Sequence, residues 1–103
     1  MKVYFATSEL MELYETPLQN LKGKQKYPHD ILKQYKKKVQ LLIAIPKLDS
    51  LSQFKGLNFE NLKGDRKGQC SIRLNDQYRL IFVPISEKKL QIIMVNEISK
   101  HYE

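Results

Sequence analysis

Hydrophobic positions near the start of the chain change from a two-residue period to a helical one. Residues 2–6 alternate in bulk, which predicts a short strand. Thr7 and Ser8 then supply hydroxyls that can cap a helix, and Pro17 ends it. The apolar positions of this first helix are Leu10, Leu13 and Tyr14.

A second helix is predicted between Pro28, which fits a first helical turn, and Pro46, which cannot continue one. Apolar residues recur between them at steps of three and four and form one stripe that we expect to be buried. The members of this stripe are Ile31, Tyr35, Val39 and Leu42.

From residue 57 onward, apolar residues tend to recur at every second position, and this pattern predicts four strands. They cover residues 57–63, 69–74, 77–85 and 89–98. Short connections between successive strands imply antiparallel neighbours. The predicted fold class is therefore α+β, with a short N-terminal strand and two helices packed on a C-terminal antiparallel sheet.

Length and composition predict a single domain over residues 1–103, because 103 residues with 42% hydrophobic content can bury one modest core. No apolar run approaches the roughly 20 residues of a membrane span. The N-terminal residues lack the pattern of a secretory signal, so we expect a cytoplasmic protein without membrane contact. The single cysteine, Cys70, cannot form an internal disulfide, in agreement with that compartment.

The charge balance points to an acidic partner. Eighteen Lys plus Arg against 11 Asp plus Glu give a formal net charge of +7. Nucleic acid is the leading partner, since lysines and arginines gain affinity by releasing counterions from phosphates. An acidic protein that covers the basic face, or no such ligand at all, are the alternatives.

The most informative segment, residues 62–83, places a charged glycine turn before two apolar strands that carry arginines. A Leu-Lys-Gly-Asp-Arg turn leads into a Ser-Ile-Arg strand and then an aromatic-Arg pair, formed by Leu62, Lys63, Gly64, Asp65, Arg66, Gly68, Ser71, Ile72, Arg73, Tyr78 and Arg79. This pattern resembles the HigB-like branch of the RelE/ParE superfamily of bacterial toxins. The order of elements along the rest of the chain also follows this family.

The resemblance implies a small endoribonuclease that needs no metal or cofactor. Carried over by position, the resemblance gives Lys63 and Arg79 as catalytic candidates and Arg73 as a neighbouring phosphate ligand. This chain's own residues add Glu60, His101 and Tyr102 to the catalytic candidates, and Arg66, Lys67 and Lys100 to the candidates for RNA binding. Glu60 replaces the family's upstream histidine and becomes the candidate base, with His101 as acid or base. The C-terminal Lys-His-Tyr also departs from the family's Asp-Tyr-His, which implies either a rearranged site or lost chemistry.

The function implied is that of a type II toxin that cleaves mRNA on the ribosome and so arrests translation. Its expected partners are the ribosome, mRNA and a HigA-like helix-turn-helix antitoxin, with promoter DNA bound only through the antitoxin. The alternative is a ParE-like protein that inhibits DNA gyrase or another topoisomerase without chemistry of its own. The fold is common to both, so only the site can separate them.

Simpler interpretations remain open for the same residues. The glycine-rich segment can be an ordinary charged hairpin turn. Arg73 and Arg79 can serve as ion-pair partners of Asp or Glu, and residues 101–103 can form a frayed tail. We expect Cys70 to be a buried, inert thiol, because a reactive thiolate needs an exposed electropositive niche.

Overall fold

Two helices lie against one face of a five-stranded sheet in the computed structural model, which describes residues 1–21, 23, 25–87 and 90–100. The strands are β1 (Lys2–Phe5), β2 (Glu60–Asn61), β3 (Cys70–Arg73), β4 (Tyr78–Glu87) and β5 (Leu90–Lys100), and the helices are α1 (Ser8–Glu15) and α2 (His29–Ala44). Short 3₁₀ turns fill the connections at Leu18–Asn20, Leu48–Gln53, Lys55–Leu57 and Gly64–Arg66. The predicted α+β class is confirmed.

The strands are arranged in the order β1, β5, β4, β3, β2. The four C-terminal strands pair antiparallel as predicted, whereas β1 pairs parallel to β5 and makes the sheet mixed. The two helices intervene between β1 and the other strands, and a long connection of this kind is what a parallel pair requires.

The helices begin and end where the sequence predicts. The Thr7 hydroxyl accepts a hydrogen bond from the Leu10 N–H (3.1 Å) and caps α1, and α2 begins directly after Pro28. All four residues of the predicted stripe are fully buried, namely Ile31, Tyr35, Val39 and Leu42. The Tyr35 hydroxyl donates to the Leu10 carbonyl over 2.7 Å, which ties the two helices together inside the core.

The predicted strand at residues 57–63 is mostly wrong, since only Glu60–Asn61 is extended and paired. Asn58 interrupts it with left-handed backbone angles (φ 47°, ψ 54°), which no strand accommodates. β4 and β5 extend past their predicted ends at residues 85 and 98, to Glu87 and Lys100. The expected first residue of the last strand, Lys89, lies outside the described residues.

Alternation along the central strands separates two faces of the sheet. Cys70 and Ile72 of β3, with Leu80 and Phe82 of β4, join the helices in one hydrophobic core. The residues between them therefore point to the opposite face, which we call the open face. In the part of the chain that is described, neither helix has the length and apolar character needed to cross a membrane.

Candidate active site

A pocket of about 220 Å³ lies on the open face and gathers four of the predicted site residues. Those four are Glu60, Arg66, Arg79 and Lys100. The remaining lining residues are Leu62, Ser71, Ile81 and Ser99. Three cations and one carboxylate therefore share a small site that has a partly apolar floor.

Strand register explains why residues far apart in the sequence meet here. Ser71 of β3 lies opposite Glu60 of β2 and also opposite Ile81 of β4. Arg79 lies opposite Ser99 of β5. Because paired residues in a sheet project to the same side, these side chains converge on the open face.

Arg79 is the most enclosed cation of the pocket, with 15% of its side chain exposed. Its Nε donates to the Ser71 hydroxyl over 2.8 Å, and its Nη2 donates to the backbone carbonyl of Asn58. The same Nη2 lies 3.5 Å from Oε2 of Glu60. The guanidinium is thus held in one orientation beside the candidate base.

Arg66 reaches the pocket from a turn that two glycines shape. Gly64 and Gly68 have φ angles of 66° and 93°, which other residues adopt only with strain. Arg66 forms a bidentate pair with Glu97 of β5 (3.0 and 3.4 Å) and donates to Gln69 over 3.2 Å. This pair connects the turn to β5 across the edge of the pocket.

Arg73 lies in a neighbouring pocket of about 300 Å³, whose lining includes Asn58 and Arg79. Its guanidinium pairs with Asp76 in the turn between β3 and β4. Arg73 and Arg79 therefore both have the acidic partners that the simpler interpretation of these arginines expected. Arg79 differs in that it also faces the pocket that holds Glu60 and Lys100.

The other predicted site residues are not among those that line the pocket. Lys63 and Lys67 are exposed on either side of the 3₁₀ turn Gly64–Arg66. Leu62, the neighbour of Lys63, lines the pocket instead, as expected where successive side chains of an extended segment alternate. His101 and Tyr102 lie outside the described residues.

Cys70 faces the core and is buried, as predicted. Its Sγ donates to Oδ1 of Asn61 over 3.3 Å. Burial raises the pKa of this thiol above its usual range, which disfavours the reactive thiolate. Within the described residues, no three His, Cys, Asp or Glu side chains form a group that could hold a metal ion.

Comparison with known proteins defines the family. A model described as "RelE-like toxin of type II toxin-antitoxin system HigB" matches residues 4–97. The chain belongs to this family. It is 48% identical over 46 residues to Toxin HigB-1 of Vibrio cholerae serotype O1, a match that covers 45% of the chain and 48% of that protein. The chain thus spans about half the length of this curated relative.

Solved toxin structures share the fold of this chain. A YoeB/ParE toxin from Agrobacterium tumefaciens superposes with a TM-score of 0.55 at 17% identity, covering 99% of the chain and 100% of that one. A YoeB-YefM complex from Staphylococcus aureus gives a TM-score of 0.50 at 20% identity, covering 99% and 98%. At these identities the likeness extends to the fold alone.

In this HigB-like protein, three residues hold the pocket arginines in place although the sequence did not identify them as site residues. Ser71 and the Asn58 carbonyl hold Arg79, and Glu97 holds Arg66. Ser71 is a polar residue between Cys70 and Ile72, and this was the signal available for it, whereas Glu97 is one of several polar residues in β5 and has no distinguishing signal. Asn58 gave none, because its contribution is a backbone carbonyl.

Proposed function

We propose that the protein is a toxin that cleaves mRNA on the ribosome. The observation that carries this proposal is the convergence of Arg66, Arg79 and Lys100 with the carboxylate of Glu60 in one pocket. Cations placed where charge develops on a reacting phosphate stabilise the transition state, and a nearby carboxylate can accept a proton. The family supports the toxin, whereas the cleavage is our inference from the site.

In the proposed reaction Glu60 takes the proton from a ribose 2′-hydroxyl, and the resulting oxygen attacks the adjacent phosphorus. Arg79 and Lys100 hold the negative charge that accumulates on the phosphate oxygens. The bond to the 5′-oxygen breaks, leaving a 2′,3′-cyclic phosphate on one fragment. The 5′-oxygen leaves with a proton, which we assign to His101. Tyr102 is proposed to orient the substrate.

The remaining cations are proposed to bind RNA outside the reacting centre. Arg73, Lys67 and Lys63 are exposed or partly exposed around the pocket, where they can contact phosphates of the same strand. Lys63 retains its proposed catalytic role only if substrate binding brings its ammonium to the phosphate. Lys63→Ala tests that condition in the assay described below.

We further infer that an antitoxin neutralises the protein. The Staphylococcus aureus structure contains a YoeB toxin together with YefM. For this chain we propose a partner of the helix-turn-helix type, which would also bring the pair to promoter DNA. An acidic surface on that partner would complement the net charge of +7. A cytoplasmic location follows from a ribosomal target.

Induction of the protein in bacteria, followed by mapping of mRNA 5′ ends, tests the function. We expect new ends within translated codons, and we expect Arg79→Ala to reduce them about a hundredfold or more. Lys47→Ala, which removes an exposed cation away from the pocket, is the matched control and should cleave normally. Intact messages together with DNA damage would replace this proposal with topoisomerase inhibition.

A further inference from the structure

Among the residues whose burial the structure describes, Ser71 and Tyr35 are fully buried side chains that carry a hydroxyl, and Ser71 has almost no apolar part to bury. It lies at the floor of the pocket, in the short strand β3. A buried hydroxyl costs free energy unless it is hydrogen-bonded, and the Ser71 Oγ meets this need by accepting from Arg79 Nε over 2.8 Å. The hydroxyl therefore has a defined partner, and that partner is the central cation of the site.

The second fixed contact of Arg79 is the backbone carbonyl of Asn58. Asn58 has φ 47° and ψ 54°, and asparagine tolerates this left-handed conformation better than most residues do. The conformation ends the 3₁₀ turn Lys55–Leu57 two residues before β2 begins. Both acceptors are thus parts of the folded frame, unlike Glu60, whose side chain is 59% exposed.

A guanidinium is planar, so fixing Nε and Nη2 also fixes the direction of every remaining donor. Lysine in the same place could not be oriented in this way, because its ammonium rotates freely at the end of a flexible stem. Reactions that depend on a charged group lose rate when that group is displaced by about 1 Å. The rate of the proposed cleavage should therefore depend on the orientation of the Arg79 guanidinium.

We propose that Ser71 is a positioning residue for Arg79. Its hydroxyl, together with the Asn58 carbonyl, holds the guanidinium in the orientation that meets the phosphate in the transition state. Ser71 itself touches no reacting atom. The inference rests on the proposed function, since it concerns the same pocket and the same cleavage.

The test compares Ser71→Ala with Ser71→Thr, which retains a hydroxyl on a side chain well suited to strands. Single-turnover and steady-state cleavage of a defined message on purified ribosomes give kcat and KM. Losing one hydrogen bond to a charged group should lower kcat about tenfold to a hundredfold, with KM within about twofold. Ser71→Thr should restore most of kcat. Ser52→Ala, which removes an exposed serine hydroxyl bonded to the Asp49 carbonyl, is the control.

A spectroscopic measurement separates positioning from general stability. The Nε–H signal of Arg79 in the nitrogen-15 spectrum should shift and exchange faster with water in Ser71→Ala, and it should return in Ser71→Thr. If Ser71→Ala cleaves normally while Arg79→Ala is inactive, the positioning role is wrong and the cleavage proposal stands. If Arg79→Ala also cleaves normally, the function itself is wrong. A loss of kcat that follows the melting temperature and is not restored by threonine also overturns the inference.

Discussion

Replacing Glu60 with glutamine separates the two effects that a carboxylate can have beside Arg79. The substitution preserves the size of the side chain but removes its charge and its ability to accept a proton. If Glu60 is the base, cleavage should slow even though RNA binding does not weaken. If the carboxylate only balances the charge of Arg79, its removal should leave cleavage unchanged or faster.

The expected sizes of the two effects differ enough to be told apart. A general base contributes about a hundredfold or more, which corresponds to roughly 2.7 kcal/mol of barrier. The Glu60 to Arg79 pair is long at 3.5 Å, and 59% of the glutamate side chain is exposed. A long pair whose carboxylate is exposed contributes about 1 kcal/mol at most, so binding of RNA should tighten by no more than about fivefold.

Two assays measure these effects on the same protein. Single-turnover cleavage of ribosome-bound message reports the chemical step, and fluorescence anisotropy of a labelled single-stranded RNA reports binding at fixed salt. Glu12→Gln makes the same charge change on the exposed face of α1 and should alter neither. Cleavage by Glu60→Gln at the wild-type rate would refute the assignment of Glu60 as the base.

Two further predictions concern the core. Tyr35→Phe removes a buried 2.7 Å hydrogen bond to the Leu10 carbonyl and should lower the free energy of unfolding by about 1 to 2 kcal/mol in urea titrations; an unchanged midpoint would contradict this. Because burial raises the pKa of Cys70, the folded state disfavours its thiolate, whereas the unfolded thiol ionises at its ordinary pKa of 9.0. Stability should therefore fall as pH rises above that value, and Cys70→Ala should remove this part of the decline. Rapid labelling of native protein by Ellman's reagent would show that the thiol is not buried.

The helices and central strands were predictable because their signals are local. Pro28 and the stripe from Ile31 to Leu42 define α2 by spacing alone, and the period of two defines β3 and β4. The strand expected at residues 57–63 failed because an apolar alternation carries no information about the left-handed backbone of Asn58. The hydrophobic pattern also could not predict that β1 pairs parallel to β5, because pairing between distant segments is decided only when the sheet packs.

In the candidate site, too, the sequence predicted some residues and could not predict the contacts between distant ones. The sequence named Glu60, Arg66, Arg79 and Lys100 as candidate site residues, and the folded chain brings all four to one pocket. The pattern did not show that Leu62, and not Lys63, would line that pocket, because β2 is too short for its facing to be judged from sequence. Arg66 pairing with Glu97 joins a turn to a distant strand, a contact that only the folded chain creates.

The position of β5 between β1 and β4 has a consequence for the synthesis of the protein. Lys2 of β1 lies opposite Ile92 of β5, so the first strand has no strand to pair with until β5 leaves the ribosomal exit tunnel. Lys100, which completes the cationic cluster, emerges later still. The pocket that holds Glu60, Arg79 and Lys100 therefore forms only after β5 has been released, so a nascent chain lacks the cleavage activity that we propose.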